Sequence, residues 1–287
     1  MKILVPLPSR DFDPTEVAVS WRILRDAGHE LLFSTPDGQP GAADPVMISG
    51  EGLDLWGFIP LLKKIRLIGL ALRAQAPARE AYALLLKDAR FLKPSPYLEL
   101  RAQDYDALLL PGGHAKGMRE YLESGLLQGV VADFFDAGKP VAAVCHGVVL
   151  AARSKSKRTE KSVLHGRKTT ALTWKLEKSG WDLTRFFARF WDPGYYRTYG
   201  EEPGQPAGYM GVQQEVTRAL ASPADFLDVA ADAPDHFLKS SGLARDTLHN
   251  ARPAWVVRDG NYVSARWPGD VHTFAQAFAA LLREVKA

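Results

Sequence analysis

Short apolar runs that alternate with segments of helical periodicity constrain the fold of this chain most. Residues 3–7, 106–111 and 140–144 are strand-length runs that are apolar at nearly every position, and each precedes a stretch with apolar side chains at helical spacing. Strands covered by helices on both faces have this continuous apolar character, which is typical of parallel sheets. We therefore predict an α/β fold with a doubly wound, mostly parallel sheet.

The first apolar run begins a strand–helix–strand unit. Asp13 can accept hydrogen bonds from the first free N–H groups of a helix, and Pro14 suits its first turn. Gly28 predicts the end of this helix, and residues 30–34 predict the second strand. These segments together form a βαβ unit.

Two long segments interrupt this pattern. Residues 39–103 are predicted as a helical insertion, with two helices at 60–91 that divide near Pro77. The apolar positions of the first helix form one stripe: Leu61, Leu62, Ile65, Ile68, Gly69 and Leu72. We expect a cap helix that packs this stripe on the core, although a helix on a membrane surface has the same pattern. Residues 180–250 are predicted as an aromatic and helical cap segment.

The rest of the chain completes the prediction of a single domain, residues 1–287. Asp259-Gly260-Asn261 separates two apolar segments and predicts a C-terminal hairpin. The other predicted elements are helices at 121–137, 146–153 and 270–285 and a strand at 168–173.

Composition excludes several classes of protein. The chain is 46% hydrophobic, which suffices for a packed core. Its single cysteine excludes an internal disulfide and leaves too few thiolates for a zinc knuckle or an iron–sulfur cluster. The net charge of +3 does not favour nucleic acid as a partner.

Neither a targeting segment nor a membrane span is expected. The run at 3–7 is too short for the core of a signal peptide, and Arg66 and Arg73 bracket the longest apolar region. We therefore expect a cytoplasmic protein with no membrane partner. The histidines show no metal-ligand spacing, so no bound metal is expected.

The segment VAAVCHGV, residues 141–148, carries the strongest functional pattern. A buried strand leads directly into Cys145, and a helix begins immediately afterwards. Such a turn lifts a side chain above the carboxyl edge of a sheet, and Gly147 permits it to be tight. The helix N-terminus favours thiolate over thiol, which predicts a lowered pKa for Cys145.

Two further patterns fall at the carboxyl ends of predicted strands. Gly112 and Gly113 follow the second apolar run and allow close approach of the backbone to a ligand, with His114 beside them. Glu16 lies in the first turn of the first helix. If these strands are neighbours, the glycine N–H groups and the Glu16 carboxyl face Cys145. A carboxyl group beside a thiol is its hydrogen-bond partner or a general acid or base.

These segments resemble the ThiJ/PfpI family, which includes the parkinsonism-associated deglycase, the glyoxalase III chaperones and the PfpI-type peptidases. The resemblance rests on YDALLLPGGH at 105–114, GKPVAAVCHG at 138–147 and RDGNYVSA at 258–265. It implies a flavodoxin-like, glutamine-amidotransferase-like sheet.

The resemblance also implies roles for individual residues. Cys145 would be the nucleophile, His146 its neighbouring base and Glu16 the carboxylate that touches the thiol. Gly112 and Gly113 would supply the backbone of the oxyanion hole.

Two parts of the chain depart from the family pattern. Some members have a triad acid after the strand that follows the cysteine helix. Trp174 occupies that position here, with Glu177 as a substitute one turn later. Where many members have TG-x-x-P after the hairpin, this chain has SARWPG. Arg266 and Trp267 are therefore candidates for lining the pocket.

The predicted function is that of a cysteine-dependent enzyme acting on a small molecule. A glyoxalase III-like lyase or a hydrolase would use Cys145 to attack a reactive carbonyl or amide compound, without a cofactor. The alternative is a non-enzymatic stress-response chaperone or redox-sensing binding protein. Family members are often dimers, so a homodimer is a further expectation.

Overall fold

The computed structural model describes residues 1–286, and these contain a seven-stranded sheet in the order β5-β3-β1-β6-β7-β9-β8. Residue 287, included in the single-domain prediction, lies outside the described residues. The strands are β1 (Lys2–Pro6), β2 (Arg10–Phe12), β3 (Glu30–Thr35), β4 (Ala42–Ala43), β5 (Ser95–Pro96), β6 (Ala107–Leu110), β7 (Val141–Val144), β8 (Val256–Asp259) and β9 (Tyr262–Ala265). Strands β2 and β4 form a separate small sheet.

The central strands are parallel, as the apolar runs predict. Strand β1 pairs in parallel with β3 and β6, and β7 pairs in parallel with β6 and β9. Only β8 runs antiparallel, through the predicted hairpin with β9. The prediction of a doubly wound, mostly parallel sheet is thereby confirmed. Because β1, β6 and β7 are neighbours, their carboxyl ends lie together at one edge.

Helices cover the sheet and build its insertions. Their bounds are α1 (Pro14–Asp26), α2 (Pro45–Ser49), α3 (Ile68–Leu72), α4 (Ala76–Leu85), α5 (Met118–Leu122), α6 (Gly125–Asp136), α7 (His146–Arg153), α8 (Trp174–Asp182), α9 (Val212–Ala219), α10 (His236–Ser240) and α11 (Val271–Lys286). Helix α1 packs against α4 and α11, whereas α7 packs against α5, α6 and α9. The Asp13 carboxylate accepts hydrogen bonds from the N–H groups of Thr15 and Glu16, so it caps α1 as predicted.

The prediction of a strand at 168–173 is wrong. Thr169 makes only an isolated parallel bridge to Phe226. Strand β9 already has β7 on one side and β8 on the other, so no free edge remains beside it. The segment is instead attached through side chains, because Thr170 N–H donates to Ser264 Oγ at 3.0 Å. The helix predicted at 121–137 is also divided, since Ser124 caps a new helix, α6.

Most of the predicted stripe of the insertion does not pack on the core, and only its end, at Gly69 and Leu72, does so. Residues 61–64 form a turn, residues 65–67 are irregular, and the Leu61 side chain is 88% exposed. The Asp54 carboxylate accepts hydrogen bonds from the N–H groups of Leu67 and Ile68 at 2.9 and 2.7 Å, and this fixes the start of α3. Helix α3 is therefore much shorter than the periodicity predicts.

Candidate active site

The turn after β7 places Cys145 at the carboxyl edge of the sheet. Cys145 has φ 55° and ψ −123°, a conformation that L residues rarely adopt, and α7 begins at the next residue. A Cβ atom at Gly147 would lie 2.0 Å from the Leu110 carbonyl oxygen, so glycine is required there. The backbone is thus bent sharply between strand and helix, as the sequence predicts.

Thr198 determines which nitrogen of His146 carries a proton. The Thr198 hydroxyl donates to the His114 carbonyl oxygen at 2.7 Å, and it lies 3.0 Å from His146 Nε2. A hydroxyl has one proton to donate, so Thr198 must accept at the second contact and His146 Nε2 must carry hydrogen. The unprotonated Nδ1 then faces Cys145 Sγ, 3.4 Å away, where it can accept the thiol proton.

Glu16 lies on the other side of the thiol. Its Oε2 accepts a hydrogen bond from the Gly112 N–H at 2.7 Å, which connects α1 with the loop after β6. Burial raises the pKa of Glu16 well above its usual range, and the charge of Asp13 adds to this effect. The hydrogen bond from the Gly112 N–H and the nearby Cys145 thiol oppose the shift. Burial therefore favours the protonated, neutral form of this carboxyl group.

The two glycines have different places in the site. The Gly112 N–H is engaged by Glu16, and a Cβ atom at Gly112 would lie 2.6 Å from the His146 nitrogen. Gly113 lines the cavity above Cys145. Of the two predicted oxyanion donors, the Gly113 N–H is therefore the better placed, since the Gly112 N–H already has an acceptor.

The thiol is neutral at rest, contrary to the sequence prediction. Burial raises the pKa of Cys145 well above its usual range, and the neighbouring carboxylates of Glu16 and Asp13 add to the rise. Burial likewise lowers the pKa of His146 to about 3, assisted by the nearby His114 and cationic Arg153. Because the thiolate and the imidazolium are both disfavoured, the resting pair is a thiol and a neutral imidazole.

A cavity of about 430 Å³ opens above Cys145. His114 lines it, as predicted, with its ring stacked on Tyr196 at 4.2 Å between centroids, and burial lowers the pKa of His114. Trp267, predicted to line the pocket, does so beside Arg245, whose guanidinium carbon lies 5.6 Å from the Trp267 ring centroid. The wall also includes residues of the insertion and of α8: Ala71, Leu72, Ala74, Gln75, Leu176, Ser179, Gly180 and Leu183.

The other three candidate pocket residues have structural roles. The Trp174 ring lies 6.5 Å from that of Trp181 between centroids, away from the cavity lining. Glu177 Oε1 is 2.9 Å from Arg197 Nε, and its Oε2 accepts the Val212 N–H. Glu177 is therefore not the triad acid, because the His146 nitrogen that an acid would bind is occupied by Thr198.

Arg266 is fully buried behind the site rather than in it. Its guanidinium donates to both carboxylate oxygens of Asp270, at 2.9 and 2.8 Å, and to the Lys239 carbonyl oxygen at 2.6 Å. The position after the hairpin thus holds a structural ion pair, and only the neighbouring Trp267 reaches the cavity.

The sequence reasoning missed Thr198, Tyr196 and Arg245. All three come from the irregular segments 188–211 and 241–250, which have no periodicity from which a contact could be predicted. Among residues 1–286, no group of three or more His, Cys, Asp or Glu side chains is arranged to hold a metal ion. No helix in that range combines the length and the apolar character needed to cross a membrane.

Comparisons with known proteins agree with the fold and identify the family. A family model described as ThiJ/PfpI family-like matches residues 7–203. Deglycase TK1284 of Thermococcus kodakarensis is 24% identical over 189 residues, which is 64% of this chain and 67% of that protein. Protein/nucleic acid deglycase 2 of Escherichia coli is 39% identical over 75 residues, or 26% of this chain and 38% of that protein.

Solved structures share the whole architecture at low identity. Glyoxalase III from Candida albicans matches with a TM-score of 0.60 and 16% identity, over 98% of this chain and 97% of that chain. The Rapid Encystment Protein of Francisella tularensis matches with a TM-score of 0.61 and 14% identity, over 98% of both chains. At these identities the likeness concerns the fold alone.

Proposed function

Because the chain belongs to the ThiJ/PfpI-like family, we propose that it is an enzyme in which the Cys145 thiol adds to the carbonyl carbon of a reactive small molecule. The observation that carries this proposal is the position of the thiol. It lies at the base of a cavity of about 430 Å³, with the unprotonated Nδ1 of His146 3.4 Å away. Relatives named deglycases support carbonyl compounds as the substrate class.

The first step joins sulfur to carbon. Cys145 Sγ attacks the carbonyl carbon while its proton passes to His146 Nδ1, so no free thiolate accumulates. The carbonyl oxygen gains the electron pair of the broken π bond and becomes an alkoxide. The N–H groups at the start of α7 would stabilise this charge, and the Glu16 carboxyl, whose protonated form burial favours, would neutralise it. The product of the step is a hemithioacetal.

The hemithioacetal of a 2-oxoaldehyde such as methylglyoxal can then rearrange without a cofactor. The hydrogen on the former aldehyde carbon leaves as a proton and another proton adds to the adjacent carbonyl carbon, which converts the hemithioacetal into a thioester of a 2-hydroxy acid. Water hydrolyses the thioester and restores the thiol. The net reaction is methylglyoxal plus water to D-lactate, with no external oxidant or reductant.

The size of the cavity favours a substrate larger than methylglyoxal. Ligand pockets in proteins commonly have volumes of roughly 300–1,000 Å³ and enclose molecules of drug size. The cavity of about 430 Å³ lies in this range, whereas a three-carbon dicarbonyl fills little of it. Its apolar wall, with the Arg245 guanidinium on one side, suits a carbonyl compound with an apolar body and a polar or anionic end.

The test compares the wild type with Cys145→Ser, which replaces the sulfur and changes little else. Consumption of 2-oxoaldehydes of increasing chain length is followed together with release of the 2-hydroxy acid. We expect turnover in the wild type, with a lower KM for the longer substrates. We expect a loss of about 10³-fold or more in Cys145→Ser, as is typical when a nucleophile is removed.

The matched control is His165→Asn, which alters an exposed histidine away from the cavity and should leave kcat and KM unchanged. Equal turnover by the wild type and Cys145→Ser would refute the proposal. So would an absence of turnover across the series together with a Cys145 thiol that iodoacetamide does not alkylate at any pH. Release of ammonia from an amide, with no activity on aldehydes, would instead assign the site to a hydrolase.

A further inference from the structure

Two segments outside the sheet meet on one surface, which we call the insertion face. It consists of residues 55–70, from the first insertion, and residues 183–191, which follow α8. The Phe58 ring joins them, since its centroid lies 5.8 Å from that of Phe190 and 5.2 Å from that of Trp191. The two segments therefore form one continuous surface.

This face exposes an unusual number of large apolar side chains. Those at least one-third exposed are Leu55, Phe58, Ile59, Leu61, Leu62, Ile65, Leu67, Leu70, Phe186, Phe187 and Phe190. Single exposed apolar residues are normal on protein surfaces, but a contiguous group of this size marks a contact with another apolar phase. The sequence predicts that the stripe packs on the core, but these side chains are exposed. Their contact must therefore be with another partner.

The charged side chains within the two segments of the insertion face are all cationic, and Asp182 and Asp192, which flank the second segment, pair with Arg185 and Arg189. Residues 55–79 contain five Lys or Arg and no Asp or Glu: Lys63, Lys64, Arg66, Arg73 and Arg79. Desolvation and the like charges of Arg79 and Arg66 lower the pKa of Arg73, so these guanidinium groups are close enough to repel one another. Lys63 and Lys64 are exposed among the leucines.

We propose that the insertion face binds the surface of a lipid bilayer that contains anionic lipids. Apolar side chains interleaved with Lys and Arg, without acidic residues, suit a bilayer, which offers acyl chains and anionic headgroups at the same depth. A second copy of this chain would bring the same cations against one another. Nucleic acid would match the cations but would leave the leucines and phenylalanines exposed to water.

This proposal differs from the sequence prediction of no membrane partner. That prediction rested on the absence of a spanning segment, which does not bear on a contact made from one side. The face also adjoins the candidate active site, because Ala71, Leu72 and Leu183 line the cavity. A bound bilayer would thus lie beside one wall of the cavity. The proposal does not depend on the proposed reaction, since it concerns residues that make no contact with Cys145.

The test measures binding of the purified chain to vesicles by flotation. Vesicles of phosphatidylcholine alone are compared with vesicles that also contain phosphatidylserine. We expect binding to the anionic vesicles that weakens as ionic strength rises. Each Lys or Arg near an anionic surface contributes about fivefold to the partition constant, equivalent to about 1 kcal/mol. Lys63→Glu with Lys64→Glu should therefore weaken binding by about 25-fold or more.

A second variant tests the apolar part of the face. Leu61→Ser with Phe187→Ser should weaken binding at least tenfold, because it removes two exposed side chains available for insertion. The matched controls lie elsewhere: Lys155→Glu with Lys161→Glu for charge, and the exposed Leu98→Ser for apolar surface. Both controls should bind vesicles as the wild type does.

Three results would overturn the proposal. They are no binding of the wild type to anionic vesicles, equal binding by the face variants and their controls, and a homodimer that Leu61→Ser with Phe187→Ser dissociates without any vesicle binding. The last result would assign the face to a second copy. Without vesicles, the rate of Cys145 alkylation should be the same in all variants. A failure of the proposed reaction would therefore be distinguished from a failure of vesicle binding.

Discussion

Replacing Thr198 with Val tests whether the hydroxyl fixes His146 as the base. Thr198 is 1% exposed, and its hydroxyl bonds both the His114 carbonyl and His146 Nε2. Valine has nearly the same shape but leaves both partners buried without a bond. Each such group costs about 1–3 kcal/mol, so the free energy of unfolding should fall by about 2–6 kcal/mol.

The effect on turnover follows from the charge that His146 acquires. When Nδ1 accepts the thiol proton, the Nε2–H becomes part of an imidazolium, and hydrogen bonds to charged groups contribute about 1.5–3 kcal/mol. Since about 1.4 kcal/mol changes a rate tenfold, Thr198→Val should lower kcat by roughly 10- to 150-fold. KM should change little, because Thr198 is not among the residues that line the cavity.

The assay combines steady-state kinetics with ¹⁵N NMR of the imidazole. In the wild type the spectrum should show a neutral ring with hydrogen on Nε2, and in Thr198→Val a mixture of tautomers. Thr198→Ser keeps the hydroxyl and should retain turnover within about threefold. If Thr198 were merely structural, the His146 tautomer would be the same in the wild type and in Thr198→Val. A wild-type ring with hydrogen on Nδ1, or full turnover by Thr198→Val, would refute the assignment of His146 as base.

The remaining variants separate the other roles. Glu16→Gln should lower turnover by about 10²–10⁴-fold, because a general acid is lost. It should not slow the alkylation of Cys145 by iodoacetamide, which needs no acid. Slower alkylation would contradict the role of Glu16 as an acid. Arg266→Met leaves the Asp270 carboxylate buried and unpaired, so urea unfolding should show a loss of about 3–5 kcal/mol. Burial raises the pKa of Glu177 to about 7, above the 4.5 of an ordinary carboxyl, so the folded state binds more protons and stability should fall from pH 4.5 to 7. The contribution of Glu177 to this slope should reach about 1.4 kcal/mol per pH unit, and Glu177→Gln should reduce the slope by that amount. Arg245→Met should lower the ratio of iodoacetate to iodoacetamide alkylation rates at Cys145, because it removes a cation from the cavity; an unchanged ratio would exclude Arg245 from anion binding.

The parts of the site that could be predicted are those fixed by the sheet. Cys145, Glu16 and Gly112 follow strands whose apolar runs are plain in the sequence, and the carboxyl ends of parallel neighbours must meet at one edge. The need for glycine at position 147, Gly147, was predicted from the tightness of the same turn. In each case regular structure carries the local pattern into three dimensions.

The parts that could not be predicted lie in segments without a period. Thr198 reaches His146 across 52 residues of chain, from a loop whose path depends on packing rather than on backbone hydrogen bonding. The predicted strand at 168–173 failed for a related reason, because a strand needs a free edge and β9 has none. Glu177 was predicted as a substitute triad acid from its position after that strand, so this prediction depended on the strand and is wrong as well.

The direction of the Cys145 pKa shows how burial outweighs a helix dipole. A helix N-terminus stabilises a nearby negative charge by about 0.3–1 kcal/mol, and by about 2 kcal/mol at most. Full burial of a charged group can shift a pKa by about 3–5 units, or roughly 4–7 kcal/mol. Cys145 is 4% exposed and has two carboxyl groups beside it, so burial prevails and the thiol keeps its proton. A thiol held in this state reacts quickly only when a bound carbonyl compound accepts the sulfur while His146 accepts the proton. Selectivity then depends on what the cavity binds, because no reactive thiolate is present before the substrate arrives.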